Sequence, residues 1–231
     1  LLVSGTWSLM GTELAKPIVT EEAYQRNFTN EGGAGKTVRF LKNIMGTWIL
    51  QQLSRQTGLT FAEMSYQAQQ FTGETAWIDV DDPRFLGFHS VKDNISAVCI
   101  ETGQRPPETT EALCRCVYMA LAMKYRFVLW ELSHMTGRHY AGLQIVGGGV
   151  KDHFLCQLTA DVCGLPVLAG PVEASVIGNA MIQMIAGGEI ASIAEAREII
   201  KISFPCERYE PKRSYEEEYQ AYCAATSAAL P

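Results

Sequence analysis

At 231 residues, 47% apolar and 19% charged, the chain has the material for a full hydrophobic core, which excludes disordered and fibrous classes. A net charge of −6 offers no broad positive field for a phosphate backbone, so nucleic acid is not an expected partner. The longest apolar runs, Leu143–Val150 and Ile177–Ala186, are too short and too interrupted by glycine to span a bilayer, and a cytoplasmic protein without membrane contact is expected.

Leu1–Trp7 reads as a buried strand and Ser8–Glu13 as its antiparallel partner, with Gly5 and Gly11 breaking the apolar runs. The opening Leu1-Leu2-Val3 is already strand-like, as in the interior of a longer chain. Thr29–Gly35 is polar and glycine-rich, and Thr37–Leu41 alternates like a half-buried strand. Asn43 is then expected to begin a helix carrying Ile44, Trp48, Ile49 and Leu53. Thr60 and Glu63 spell a capping box for a second helix running to about Phe71. After a less regular stretch, helical periodicity returns over Val91–Thr102 and Thr109–Thr136, giving a helical insert or layer.

From Gly142 the pattern alternates: strand Leu143–Val146, glycine turn, helix Lys151–Cys163, strand Leu165–Ala169, and a helix from Glu173. This β-α-β-α order predicts a sheet with helical crossovers. Further helices are expected over Ser192–Ser203 and Tyr215–Ala228. No linker-like stretch interrupts the middle, so residues 1–231 read as one α/β domain. The seven cysteines form no C-x-x-C, and the histidines (His89, His134, His139, His153) do not pair with them at zinc-finger spacing; buried free thiols and no structural metal are expected.

Four segments draw attention as chemistry. Gly33-Ala34-Gly35-Lys36-Thr37 imitates a P-loop, but the motif's first glycine would fall at Asn30, and a strand follows where a helix N-terminus is needed. Gly147-Gly148-Gly149 follows a strand and precedes a helix, which allows either a tight turn or a backbone approach to a planar or phosphorylated ligand. It is no Rossmann fingerprint, because the third glycine would fall at Asp152. Ser4-Gly5-Thr6-Trp7-Ser8 is a glycine bend with hydroxyls on both sides, able to meet a phosphate oxygen or simply to turn. Gly170–Ser175, with small residues on the following turns, suits close helix packing at a hinge between two domains.

In order and spacing, SGTWSLMG (Ser4–Gly11), TNEGG (Thr29–Gly33), LKNIMG (Leu41–Gly46) with Trp48 and Gln51, IVGGG (Ile145–Gly149) and GPVEAS (Gly170–Ser175) resemble the C-terminal domain of the rhamnulokinase branch of the FGGY carbohydrate kinases. That resemblance implies a ribonuclease H-like domain of the actin/hexokinase/Hsp70 type, with a mixed β-sheet flanked by helices. It implies ATP and ADP as ligands, Mg2+ as cofactor, and a sugar phosphorylated at its 1-hydroxyl. On matched positions it implies phosphate or nucleoside contacts from Thr6, Asn43, Gln51, Gly147, Gly148 and Gly149. The family's aspartate base and its N-terminal sugar-binding domain have no counterpart here. Glu74-Thr75-Ala76 is a look-alike in the wrong place, so the isolated domain is expected to be inactive. A kinase for another sugar such as L-fuculose, or a non-catalytic nucleotide-binding module, are the alternatives.

Overall fold

The computed structural model describes residues 1–88 and 90–226. In chain order its elements are β1 (Leu2–Ser4), β2 (Trp7–Leu14), α1 (Glu21–Gln25), β3 (Phe28–Gly32), β4 (Val38–Met45), α2 (Trp48–Thr57), α3 (Phe61–Gln70), α4 (Val91–Glu101), α5 (Thr110–Thr136), β5 (Leu143–Val146), α6 (His153–Cys163), β6 (Val167–Ala169), α7 (Ala174–Ala186), α8 (Ile193–Ser203), β7 (Glu207–Tyr209) and α9 (Glu216–Thr226). His89 and the end of the expected terminal helix, positions 227 and 228, lie outside the described residues.

The strands form one mixed sheet of order β3-β4-β2-β1-β5-β6-β7. An antiparallel meander, β3-β4-β2-β1, joins a parallel pair, β5-β6, along β1, and β7 closes the far edge antiparallel to β6. The parallel steps are made by crossovers: α2 to α5 between the meander and β5, and α6 between β5 and β6, as parallel neighbours require.

Long helix α5 lies against β2 and β4 on one face of the sheet and packs sideways on α3 and α6. The pleat sorts the residues that meet it. Ser8, Met10, Phe40, Lys42 and Ile44 share one face, and the Ser8 hydroxyl hydrogen-bonds the buried Tyr125 hydroxyl of α5 at 2.8 Å. Lys42 is buried among them because Glu131 of α5 accepts from its ammonium at 2.8 Å, and Arg26 shares that carboxylate at 3.1 Å. A second buried cation, Lys124, holds the loop before α4 through Asp79 and Asp81 at 2.8 and 3.0 Å.

The predicted capping box forms, and three further helices carry side-chain caps. Thr60 and Glu63 form the reciprocal capping box of α3, and Ser90, Thr109 and Ser192 cap α4, α5 and α8. Five cysteines are buried, Cys163 is half-buried and Cys206 exposed, all as free thiols; burial pushes the Cys114 thiol up to about 11.

Three expectations change. The first hairpin turns at Gly5-Thr6, so Trp7 opens β2 instead of closing β1. Asn43 begins no helix: β4 runs through it to Met45, paired with β2 along its whole length, and α2 starts only at Trp48. The eight-residue ladder with β2 carries Asn43 on its outer face, and the Lys42–Glu131 pair lets the neighbouring charged residue sit on the inner one. The polar, glycine-rich stretch Thr29–Gly35, expected as a loop, is strand in its first part: β3 runs along the outer edge of β4. The P-loop look-alike is the short turn that joins these two strands.

Candidate nucleotide-binding cleft

The glycine bend of the first hairpin and the start of α2 are built into one another. Thr47 donates its backbone N–H and its hydroxyl to the Gly5 carbonyl at 2.8 and 3.0 Å, and the Trp48 N–H donates to the Thr6 carbonyl at 3.1 Å. This approach demands glycine at 46, where a Cβ would stand 2.5 Å from the Gly5 carbonyl oxygen and 2.7 Å from the Ser8 nitrogen. One turn into α2, Gln51 donates from Nε2 to the Thr6 hydroxyl at 3.0 Å. The exposed Thr6 side chain is thereby fixed through its oxygen, and its own proton is left to donate.

The second wall is the glycine turn after β5. Gly147 has φ 93°, and its N–H donates to the Pro171 carbonyl at 3.3 Å. A Cβ at Gly147 would lie 2.7 Å from the Ser4 carbonyl oxygen, and one at Gly149 would lie 2.0 Å from the Ser4 hydroxyl oxygen. These two glycines let β1 and the turn pack backbone to backbone. Gly148 differs: its φ is not positive, it is exposed, and a Cβ there would meet nothing within 4 Å.

Asp152 joins this turn to α6. Its carboxylate caps the helix by accepting from the Leu155 N–H at 3.0 Å, and it accepts from the Tyr118 hydroxyl at 2.5 Å. Burial, then the Asp152 charge, raise the Tyr118 pKa, so the phenol stays protonated and donating. On the rim of the same turn, exposed His153 meets the Tyr209 hydroxyl at 2.6 Å and Glu207 at 3.0 Å through Nδ1.

Between these walls lies a cavity of about 990 Å³. Its lining includes the hydroxyls and amide of Thr6, Thr47 and Gln51, the apolar side chains Phe61, Ala62 and Phe154, the glycines Gly148 and Gly149 with Asp152, to which the Ser65 hydroxyl donates at 3.4 Å, and two cations, Lys151 and Lys212. Of the positions singled out in the sequence, Thr6, Gln51, Gly148 and Gly149 meet here, although residues 6 and 148 are far apart in the chain. Gly147 stands behind the turn, against Ser4. Asn43 is not among the lining residues: it shares with Leu9 the sheet face away from α5, so its expected place beside Gln51 on one helix is corrected. Sequence reasoning missed Asp152, Phe61 and Phe154. Asp152 had a readable signal, an aspartate just before an apolar helical run, whereas the two aromatics look like ordinary core residues.

The donors suit phosphate oxygens better than a metal ion. Among the described residues no cluster of three histidine, cysteine or carboxylate side chains gathers, and the one carboxylate lining the cavity, Asp152, is already engaged by a cap and a phenol. Among the described residues no helix is long and apolar enough to cross a membrane.

Comparison with known proteins bears on this geometry. The profile of the FGGY family of carbohydrate kinases, C-terminal domain, matches residues 1–187. A rhamnulokinase of Enterococcus faecalis is 42% identical over 231 residues, covering 97% of this chain and 47% of its own length. One from Bacillus subtilis is 40% identical over 211 residues, covering 90% of this chain and 44% of its own. The chain thus spans about half the length of the curated relatives it matches. Among solved structures, a xylulose kinase from Rhodospirillum rubrum superposes with a TM-score of 0.69 at 17% identity, over 96% of this chain and 45% of that one. Plasmodium falciparum glycerol kinase with ADP gives 0.68 at 13% identity, over 97% and 45%. At such identities the likeness is one of fold, the actin/hexokinase-like ATPase domain with its mixed sheet flanked by helices.

Proposed function

Because the chain belongs to the C-terminal domain family of the FGGY carbohydrate kinases, we propose that it forms the nucleotide side of an ATP-dependent kinase that phosphorylates the 1-hydroxyl of L-rhamnulose. The observation that carries the nucleotide reading is Gly148. Neither backbone strain nor neighbouring atoms call for glycine there, so the missing side chain leaves room in the cavity it lines for something outside the protein.

In this reading the base lies between Gly148 and the apolar wall of Phe61 and Phe154, and the phosphates reach toward Thr6. The Thr6 hydroxyl, its oxygen engaged by Gln51, donates to a phosphate oxygen. Lys151 and Lys212 offset the negative charge, and Asp152 keeps the glycine turn in register with α6. Magnesium fits as an ion carried by the phosphates and water, where it supplies charge neutralisation. The sugar assignment rests on the two relatives at about 40% identity, both rhamnulokinases. The group that takes the proton from the sugar hydroxyl belongs to the half of those relatives that this chain does not span, so the chain alone is predicted to be inactive.

The test is to place the first half of the Enterococcus faecalis rhamnulokinase in front of this chain and follow ADP release with L-rhamnulose, L-fuculose and xylulose as acceptors. The reading expects turnover by the joined protein, greatest with L-rhamnulose, and none by the chain alone. Turnover by the chain alone, or a clear preference for another sugar, would contradict it.

A further inference from the structure

The long helix α5 buries four side chains that carry a hydroxyl or a charge: Tyr118, Lys124, Tyr125 and Glu131. Burying such groups costs free energy unless each finds a partner, and an apolar residue would fill the same space without that demand, so what each one grips is informative. Glu131 takes Lys42 of the sheet, and the other three reach the two walls of the cleft. Tyr118, fully buried, donates to Asp152 at 2.5 Å, stands 3.5 Å from the Phe61 carbonyl oxygen and sets its ring 5.3 Å from that of Phe154. All three of these neighbours line the cavity. Lys124 pairs with Asp79 and, at 3.0 Å, with Oδ2 of Asp81. The other oxygen of Asp81 accepts at 2.6 Å from the N–H of Met45, the last residue of β4 and the one before Gly46. Tyr125 meets the Ser8 hydroxyl at 2.8 Å, just past the Gly5-Thr6 bend.

We propose that Tyr118 and Asp81 are positioning residues of the nucleotide cleft, which set from one helix the wall that faces the base and the wall that faces the phosphates. The inference rests on the nucleotide reading given above. Neither side chain is among the described residues that line the cavity, so each acts through one link. On the base side, the Asp152 carboxylate is divided between the Leu155 N–H and the Tyr118 hydroxyl. That fixes the start of α6 and, with it, the turn that carries Gly148. On the phosphate side, the anchored Met45 N–H fixes where β4 ends. Gly46 then packs against Gly5 and Ser8, and the N–H groups of Thr47 and Trp48 hold the carbonyls of Gly5 and Thr6. Tyr118 and Lys124 lie about 9 Å apart along the axis of α5, at about 1.5 Å of rise per residue. The separation of the two walls is thereby referred to a single rigid element. A ligand held at both ends needs that separation kept to within about 0.5 Å, which explains why polar groups stand in the buried middle of this helix.

The test compares Asp81→Ala, Asp81→Asn and Tyr118→Phe with the parent chain, each well below its thermal midpoint. Two readouts are taken: amide hydrogen exchange without nucleotide, and calorimetric titration with Mg-ATP and with adenosine. Asp81→Ala speeds exchange at Thr47 and Trp48, which donate to the Gly5-Thr6 bend, and leaves Val150 and Asp152 of the glycine turn unchanged; Tyr118→Phe does the reverse. In titration, Asp81→Ala weakens Mg-ATP about tenfold, the worth of one hydrogen bond to a charged group, and leaves adenosine within about twofold of the parent. Tyr118→Phe weakens both ligands by the same factor. In Asp81→Asn the amide oxygen still accepts from the Met45 N–H, so this variant keeps the parent behaviour in both readouts. Two results would overturn the inference: walls that loosen together or not at all in the folded variants, or Mg-ATP and adenosine affected alike by Asp81→Ala, as by a residue that only supports the fold. Wall-specific exchange in a parent chain that binds neither ligand supports the positioning and refutes instead the nucleotide reading of the cavity.

Discussion

Helices α5 and α7 are both dominated by apolar residues, and the fold treats them in opposite ways. The first buries most of its length, with Leu121, Ala122 and Tyr125 fully enclosed between sheet and neighbouring helices; the second buries nothing. Helix α5 also carries Lys124 and Glu131, which have counterparts on Asp79, Asp81 and Lys42 within the chain. These pairs mark α5 as a helix whose cover is internal. No charged residue of α7 has such a counterpart, because it has no charged residue at all.

The largest expected effect separates the two helices directly. Leu121→Ala removes a fully buried side chain and should cost ~2–5 kcal/mol in denaturant unfolding. Ile182→Ala, on the exposed face of α7, should stay within about 0.5 kcal/mol in this chain. Equal losses would break the contrast. A middle-sized effect sharpens the same contrast among the glycines. Gly46→Ala drives a Cβ into the backbone of Gly5 and Ser8 and should cost ~1–3 kcal/mol, whereas Gly148→Ala, with open space before it, should be neutral to within about 0.5 kcal/mol.

The smallest effect concerns the attachment of α8. The Thr37 hydroxyl, then Arg197, hold the Glu13 carboxyl below its ordinary value. A folded pKa below the unfolded one gives stability that is present above the unfolded value, about 4.3, and lost as pH falls through the folded value. Exposed as the pair is, its share is at most about 1 kcal/mol. Glu13→Gln should therefore lower stability slightly at pH 7 and leave it unchanged at pH 2, a difference readable in urea midpoints at the two pH values.

Much of this architecture is legible in the residues themselves. Thr60 with Glu63 fixes the start of α3, and the apolar run Leu143–Val146 bounded by glycines is strand β5, residue for residue. These features are local: a cap or a turn is decided within a few positions. What escaped reading is decided at long range. Lys42-Asn43 looks like the polar lead-in to a helix until Glu131, 89 residues further on, appears opposite Lys42. Phe28–Gly32 and Glu207–Tyr209 are edge strands whose polar residues face water, and only their pairing with β4 and β6 makes them strands. The site divides in the same way. Thr6 and the glycine turn are conspicuous as residues that turn a chain, while Phe61, Phe154 and Asp152 become parts of a cavity only when α3, α5 and α6 are assembled.

The central claim is that the cavity between the Gly5-Thr6 bend and the Gly147–Gly149 turn holds a nucleotide, and calorimetric titration of the chain with Mg-ATP tests it most directly. The account predicts binding by the wild-type chain that is weakened in Thr6→Ala and abolished in Gly148→Trp, with both variants as stable as the parent; binding that is indifferent to both substitutions would contradict it.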